Sequence, residues 1–128
     1  MEGNEEELLQ EEGYALMGAA FEVYNVLGPG YLEEVYQEAM ELELGARQIP
    51  FVSKPRLHVH FKDYQLKKHC EADFLVRSAI VVEIKAARTV TPEYEAQLLN
   101  ELRITRHRVG YLINFGAWPR LHWSRRVL

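Results

Sequence analysis

The chain has 128 residues, 48% hydrophobic and 27% charged, a balance that suits one globular domain with a core of its own and argues against a disordered or fibrous chain. A lone cysteine, Cys70, excludes an internal disulfide and suits a reducing compartment, and no apolar run approaches the length of a membrane span. Net charge is only −4, yet residues 1–50 hold twelve Asp or Glu against one Arg, while residues 51–128 hold seven acids against fourteen Lys or Arg. That asymmetry suits either a polyanion partner for the basic part or two solvated surfaces of opposite sign. The acidic start Met1-Glu2-Gly3-Asn4-Glu5-Glu6-Glu7 is the reverse of a signal or transit peptide, so the expected location is the cytoplasm, with no membrane partner.

After an acidic extension of about seven residues, Leu8, Leu9, Glu12, Ala15, Leu16, Ala19, Val23, Val26 and Leu27 recur at three- and four-residue spacing, predicting an amphipathic helix from about Glu6 to Leu27. Gly28-Pro29-Gly30 stops it. A second helical pattern runs from Tyr31 to Ala46, with Leu32, Val35, Tyr36, Ala39 and Met40 on one face. From Phe51 to Ala86 the character changes to β-branched and aromatic alternation, predicting three or four strands in an antiparallel meander. Thr91 and Pro92 open a helix to about Thr105 that buries Leu98, Leu99 and Leu102, and Val109 to Phe115 reads as a further strand. Leu121 to Leu128 offers a last one. Residues 79–86, 92–105 and 109–115 thus form a β-α-β unit with parallel strands, and the predicted fold is α/β, a mixed sheet flanked by helices.

The chemistry concentrates on Asp73, Glu83 and Lys85. In a strand the side chains alternate, so Val82, Ile84 and Ala86 bury on one face while Glu83 and Lys85 project together from the other. A three-residue hairpin loop at Arg77-Ser78-Ala79 brings Asp73 opposite Glu83, although the loop lacks the Gly or Asn such turns favour and a slip of one residue would part the two carboxylates. Two carboxylates beside an ammonium suit a hard divalent ion and phosphodiester chemistry. An ordinary Glu-Lys ion pair on an edge strand fits the spacing as well.

Gly28-Pro29-Gly30-Tyr31-Leu32-Glu33-Glu34-Val35-Tyr36 resembles the name-giving motif of the small Gly-x-x-Glu-x-x-Tyr (or Gly-x-x-Glu-x-x-Arg) proteins, a branch of the PD-(D/E)xK nuclease-like superfamily. Ala72-Asp73-Phe74 and Val82-Glu83-Ile84-Lys85-Ala86 resemble its split signature, Glu95-Ala96-Gln97-Leu98-Leu99-Asn100 its following helix, and Leu112-Ile113-Asn114-Phe115-Gly116 its closing strand. The resemblance implies a restriction-endonuclease-like core with Asp73 and Glu83 as ligands to Mg²⁺ or Mn²⁺ and Lys85 as the catalytic lysine. Glu33 and Gln97 would be further residues of the site, although helix-dipole stabilisation alone would account for Glu33 and solvation for Gln97. It further implies a divalent-metal-dependent nuclease acting on nucleic acid, DNA first; a non-catalytic binding module that keeps the fold is the alternative.

His58 and His60 share a strand face, and a hairpin through Lys62-Asp63-Tyr64 brings His69 or Cys70 towards them, although the spacing is looser than that of usual zinc sites. Arg103, Arg106 and Arg108, with Arg120, Arg125, Arg126, Trp118 and Trp123 further along, would serve a phosphate backbone or form a basic surface over a core closed by aromatics. The sequence suits a monomer or a homodimer, and DNA or RNA, alike.

Overall fold

A computed structural model describes residues 8–128. Two helices open the chain, α1 (Gln10–Leu27) and α2 (Glu33–Ala46). Strands β1 (Phe51–Ser53), β2 (Arg56–Phe61), β3 (Tyr64–Glu71), β4 (Phe74–Val76) and β5 (Ile80–Lys85) follow, then α3 (Pro92–Thr105), β6 (Val109–Asn114) and β7 (His122–Val127). Five strands make one mixed sheet in the order β1-β4-β5-β6-β7, in which only β5 and β6 run parallel. The restriction-endonuclease-like α/β architecture is therefore present, and the β-α-β unit lies where hydrophobic periodicity put it.

The two faces of the sheet bury different helices, and the alternation along β5 decides which residue goes where. Ile80, Val82 and Ile84 join Phe74, Val76, Tyr111 and Ile113 in the larger core, packed under Leu16, Ala19, Ala20 and Val23 of α1 and Tyr36, Met40 and Leu44 of α2. Val81 turns the other way, into a smaller core with Leu57, Ala72, Leu98, Leu102 and Leu112 beneath α3. Glu83 and Lys85 continue the Val81 row, so they too belong to the α3 side.

Several expectations need correction. The first helix begins at Gln10, after Leu9 in left-handed backbone (φ 55°), and the predicted start at Glu6 lies outside the described residues. The second begins at Glu33, because Leu32 is extended (ψ 153°); Leu32 and Val35 are exposed, and the buried stripe is Tyr36, Gln37, Met40 and Leu44. Val26 and Leu99 lie outside the fully buried set as well. The meander is also interrupted: β2 and β3 pair only with each other, as a ribbon against α3, while β1 pairs with β4. Strand β5 lies between β4 and β6, so the edge-strand reading of Glu83 and Lys85 falls.

Candidate active site

The hairpin between β4 and β5 fixes the first pair of side chains. Arg77 and Ser78 both adopt left-handed backbone (φ 52° and 59°), and Ala79 N–H bonds to Val76 C=O at 3.1 Å, so the loop closes as a primed turn without glycine. Phe74 then pairs with Val82, and one step further Asp73 meets Glu83. Asp73 N–H donates to Val82 C=O at 3.1 Å and to Glu83 Oε1 at 3.0 Å; in return Asp73 Oδ2 accepts Ile84 N–H at 2.7 Å. The Glu83 carboxylate is thus held by the Asp73 N–H and the Asp73 carboxylate by the N–H of Ile84, the residue after Glu83. Lys54 Nζ lies 2.8 Å from Asp73 Oδ1, and that hydrogen bond raises the lysine's pKa.

Helix α3 closes the other side. Tyr94, Leu98 and Glu101 form one stripe: Lys85 Nζ lies 4.6 Å from the centre of the Tyr94 ring, Leu98 enters the smaller core, and Glu101 is 9% exposed. Cys70 Sγ donates to Glu101 Oε2 at 3.1 Å, while Glu101 Oε1 is buried with no hydrogen-bond partner among the described residues. Burial pushes the Cys70 thiol up to about 12, with Glu101 adding to it, so at neutral pH it stays a protonated thiol and a poor nucleophile. Burial, with Glu101 and Asp73 nearby, likewise pushes the Glu83 carboxyl up to about 8; Lys85 opposes this weakly. Glu101 is raised, again mainly by burial. Among the described residues no ion pair joins Glu83 to Lys85.

The motif residues around this pair have visible work. Tyr36 Oη donates to Gly28 C=O at 2.6 Å and accepts Tyr31 N–H at 3.3 Å, and its ring stacks on Phe115 with centroids 4.7 Å apart. It pins the turn in which Gly30 stands at φ 109°, a conformation that L side chains rarely adopt. Gln37, beside it, donates to Ser53 Oγ and to Asp73 C=O, both at 2.9 Å, and Ser53 in turn donates to Glu41. Glu33 is exposed at the start of α2, on the rim of a cleft of about 530 Å³ lined also by Glu34, Gln37, Glu38, Glu41, Lys54 and Asp73.

Asp73, Glu83 and Lys85 therefore share one region of the sheet, and Glu33 reaches the cleft that Asp73 borders. Gln97 is exposed on α3, one turn before Glu101. The three arginines are elsewhere. Arg106 and Arg108 flank the start of β6, whose first residue pairs with Ile80, whereas Lys85 pairs with its last, about 16 Å away along the strand. Arg103 bonds Asn100 at 3.1 Å, Arg106 the carbonyl of Lys62, and Arg108 that of Leu128 at 2.9 Å. Among the described residues the histidines join no metal-holding group: His58 lies beside His69 and Gln65, and Cys70 bonds Glu101 instead. Sequence reasoning missed Glu101, Gln37 and Lys54; for Glu101 the available signal was an acid in the buried stripe of a helix, next to Leu98 and Leu102.

Asp73 and Glu83 offer hard oxygen donors, and burial leaves Glu83 short of compensating charge, so the pair fits a divalent cation. Among the described residues no three of His, Cys, Asp and Glu form a metal-holding group, which leaves the remaining positions of such an ion to water or to a phosphate oxygen.

No curated protein matches the chain. Among solved structures it is similar to the crystal structure of SSO0001, at 18% identity and a TM-score of 0.57, over 74% of this chain and 49% of that one. This likeness concerns the fold, and the chain spans about half the length of that protein. A sequence profile of the PD-(D/E)XK nuclease superfamily matches residues 10–126, a span that takes in α1, α2, Asp73, Glu83, Lys85 and nearly all of the last strand. The chain belongs to the PD-(D/E)XK nuclease superfamily.

Proposed function

We propose that the chain is a divalent-metal-dependent nuclease of the Gly-x-x-Glu-x-x-Tyr branch that hydrolyses phosphodiesters in DNA. The observation that carries this reading is the Asp73–Glu83 pair, its carboxylates locked by the backbone N–H groups of Asp73 and Ile84, with Lys85 on the same face as Glu83. Asp73 and Glu83 hold Mg²⁺ or Mn²⁺, and the ion, when bound, supplies Lewis-acid polarisation of the scissile phosphate. Lys85 brings a compact positive charge and three N–H donors to the phosphate oxygens and the attacking water. Glu33 and Gln97 stand at the approaches to the site, from α2 and α3. Arg103, Arg106 and Arg108 hold the backbone away from the cut; 16 Å of duplex axis corresponds to roughly five nucleotides of one strand.

The test is incubation of the purified protein with labelled single- and double-stranded DNA and RNA, in Mn²⁺, Mg²⁺ or chelator, beside Lys85→Ala. Cleavage that needs the ion and falls by at least about a hundredfold in the variant is expected. Undiminished turnover in Lys85→Ala would remove the lysine from the chemistry.

One observation favours a second reading, a non-catalytic nucleic-acid-binding module. Lys54 already provides Asp73 with a counter-charge at 2.8 Å, as a site that has given up its ion would need. In that case Mn²⁺ leaves the melting temperature unchanged, whereas an ion seated on the native carboxylates raises it by mass action.

A further inference from the structure

We propose that Glu101 is a third carboxylate of the cation site, serving the ion through its hydration shell rather than by direct ligation; this rests on the reading of Asp73 and Glu83 given above. Glu101 is the kind of group a folded chain does not retain without a partner. It is 9% exposed, and one oxygen takes the Cys70 thiol at 3.1 Å while the other has no donor among the described residues. An unsatisfied buried carboxylate oxygen costs more than an ordinary lost hydrogen bond. No described residue donates to it: the Cys70 proton is committed to Oε2, and Lys85 lies over the Tyr94 ring.

The location supplies what the free oxygen lacks. Glu101 stands on the α3 stripe with Leu98, which packs with Val81 of β5, and with Tyr94, whose ring centre lies 4.6 Å from Lys85 Nζ; it accepts from Cys70, three residues before Asp73, so it belongs to the Glu83 and Lys85 side of the sheet. Three ionised carboxylates outnumber the ammoniums of Lys85 and Lys54, the latter 2.8 Å from Asp73 Oδ1, and a divalent cation would offset the remaining negative charge. Direct ligation by all three is not what the geometry offers, since no such three-residue group forms among the described residues. Mg²⁺ and Mn²⁺ suit this arrangement, because Mg²⁺ keeps several waters and each water has two protons to donate. A water of the ion's shell is the donor that Oε1 is missing, and Cys70 is the positioning residue that keeps that oxygen aimed and the other one occupied.

The experiment is calorimetric titration of Mn²⁺ into wild type and Glu101→Gln, with melting curves in chelator and in saturating Mn²⁺. The near-isosteric variant keeps an acceptor for Cys70 and removes the charge. Expected are a loss of about ten- to a hundredfold in Mn²⁺ affinity and, in chelator, a melting temperature a few degrees above wild type because repulsion with Glu83 and Asp73 is relieved. A purely structural Glu101 would give the opposite pattern, a lower melting temperature and unchanged affinity, and that result overturns the proposal. Should Glu101→Gln fail to fold, Glu101→Asp decides: an affinity below wild type supports the role and wild-type affinity overturns it. If wild type itself binds no Mn²⁺, the cation site of Asp73 and Glu83 falls first and this inference with it, an outcome distinct from binding that is indifferent to Glu101.

Discussion

Glu83 concentrates the tension of the molecule in one side chain. Its carboxyl, ordinarily near 4.5, is pushed up to about 8 by burial and by the neighbouring Glu101 and Asp73. Between those two values the folded chain holds a proton that the unfolded chain has released, so folding is favoured less and less as pH rises. The contribution is complete below about 4.5 and is lost as pH passes through about 8. In chelator, wild type should therefore melt several degrees lower at pH 8.5 than at pH 6, and Glu83→Gln should show a distinctly smaller difference. Equal differences in the two proteins, followed by circular dichroism, would show that Glu83 is not the titrating group. At this scale the sequence is candid about Asp73, Glu83 and Lys85, because alternation alone puts polar groups on one face of an apolar strand. It conceals Glu101, because a helix stripe read by period does not tell a buried acid from a solvated one at its margin, and Gln97, one turn earlier, looks the better candidate.

Among the elements, the junction between β5 and β6 holds Lys85 in place. Asn114 is fully buried at the end of β6; its Oδ1 accepts Ala87 N–H at 3.0 Å and Gly116 N–H at 3.1 Å, and its Nδ2 donates to Ala87 C=O at 2.8 Å. Phe115 N–H donates to Lys85 C=O at 2.9 Å, and a Cβ on Gly116 would stand 2.5 Å from Ala87 O. The Leu112-Ile113-Asn114-Phe115-Gly116 segment is therefore a clamp on the chain as it leaves Lys85. Asn114→Ala leaves three backbone groups without partners and should destabilise the fold by about 2–4 kcal/mol in urea; a change of a few tenths would contradict the clamp. Elements with long periodic patterns, α1, α2, α3 and the parallel β5–β6 pair, were legible because each buries a continuous stripe. The separate β2–β3 ribbon was not, since alternation in Leu57 to Phe61 identifies a strand without naming its neighbour. Leu32 and Val35 differ from expectation for a similar reason: Leu32 precedes the helix in extended backbone, and the buried stripe of α2 runs through Tyr36, Gln37, Met40 and Leu44, with Val35 at its margin.

Across the whole molecule, charge and topology divide along the sheet. Among the described residues the acids of the first half lie on α1 and α2, and four glutamates of α2 line the cleft beside Asp73, with Lys54 as the one cation of its described lining. A phosphate backbone is repelled from that side unless a cation intervenes, whereas Lys85 on the α3 side and the arginines at the far end of β6 attract it. The imbalance between the halves was readable from composition; its placement was not, because the arginines follow α3 to the end of the sheet opposite Lys85. On the proposed function a divalent cation would reconcile the acid-lined site with a polyanionic substrate, and everything proposed for the chemistry depends on its seat. The most direct test is an anomalous difference map from crystals of the wild-type protein equilibrated with Mn²⁺. The account predicts a peak bridged by the carboxylates of Asp73 and Glu83; saturated crystals with no peak there, or with manganese bound only elsewhere, would contradict it.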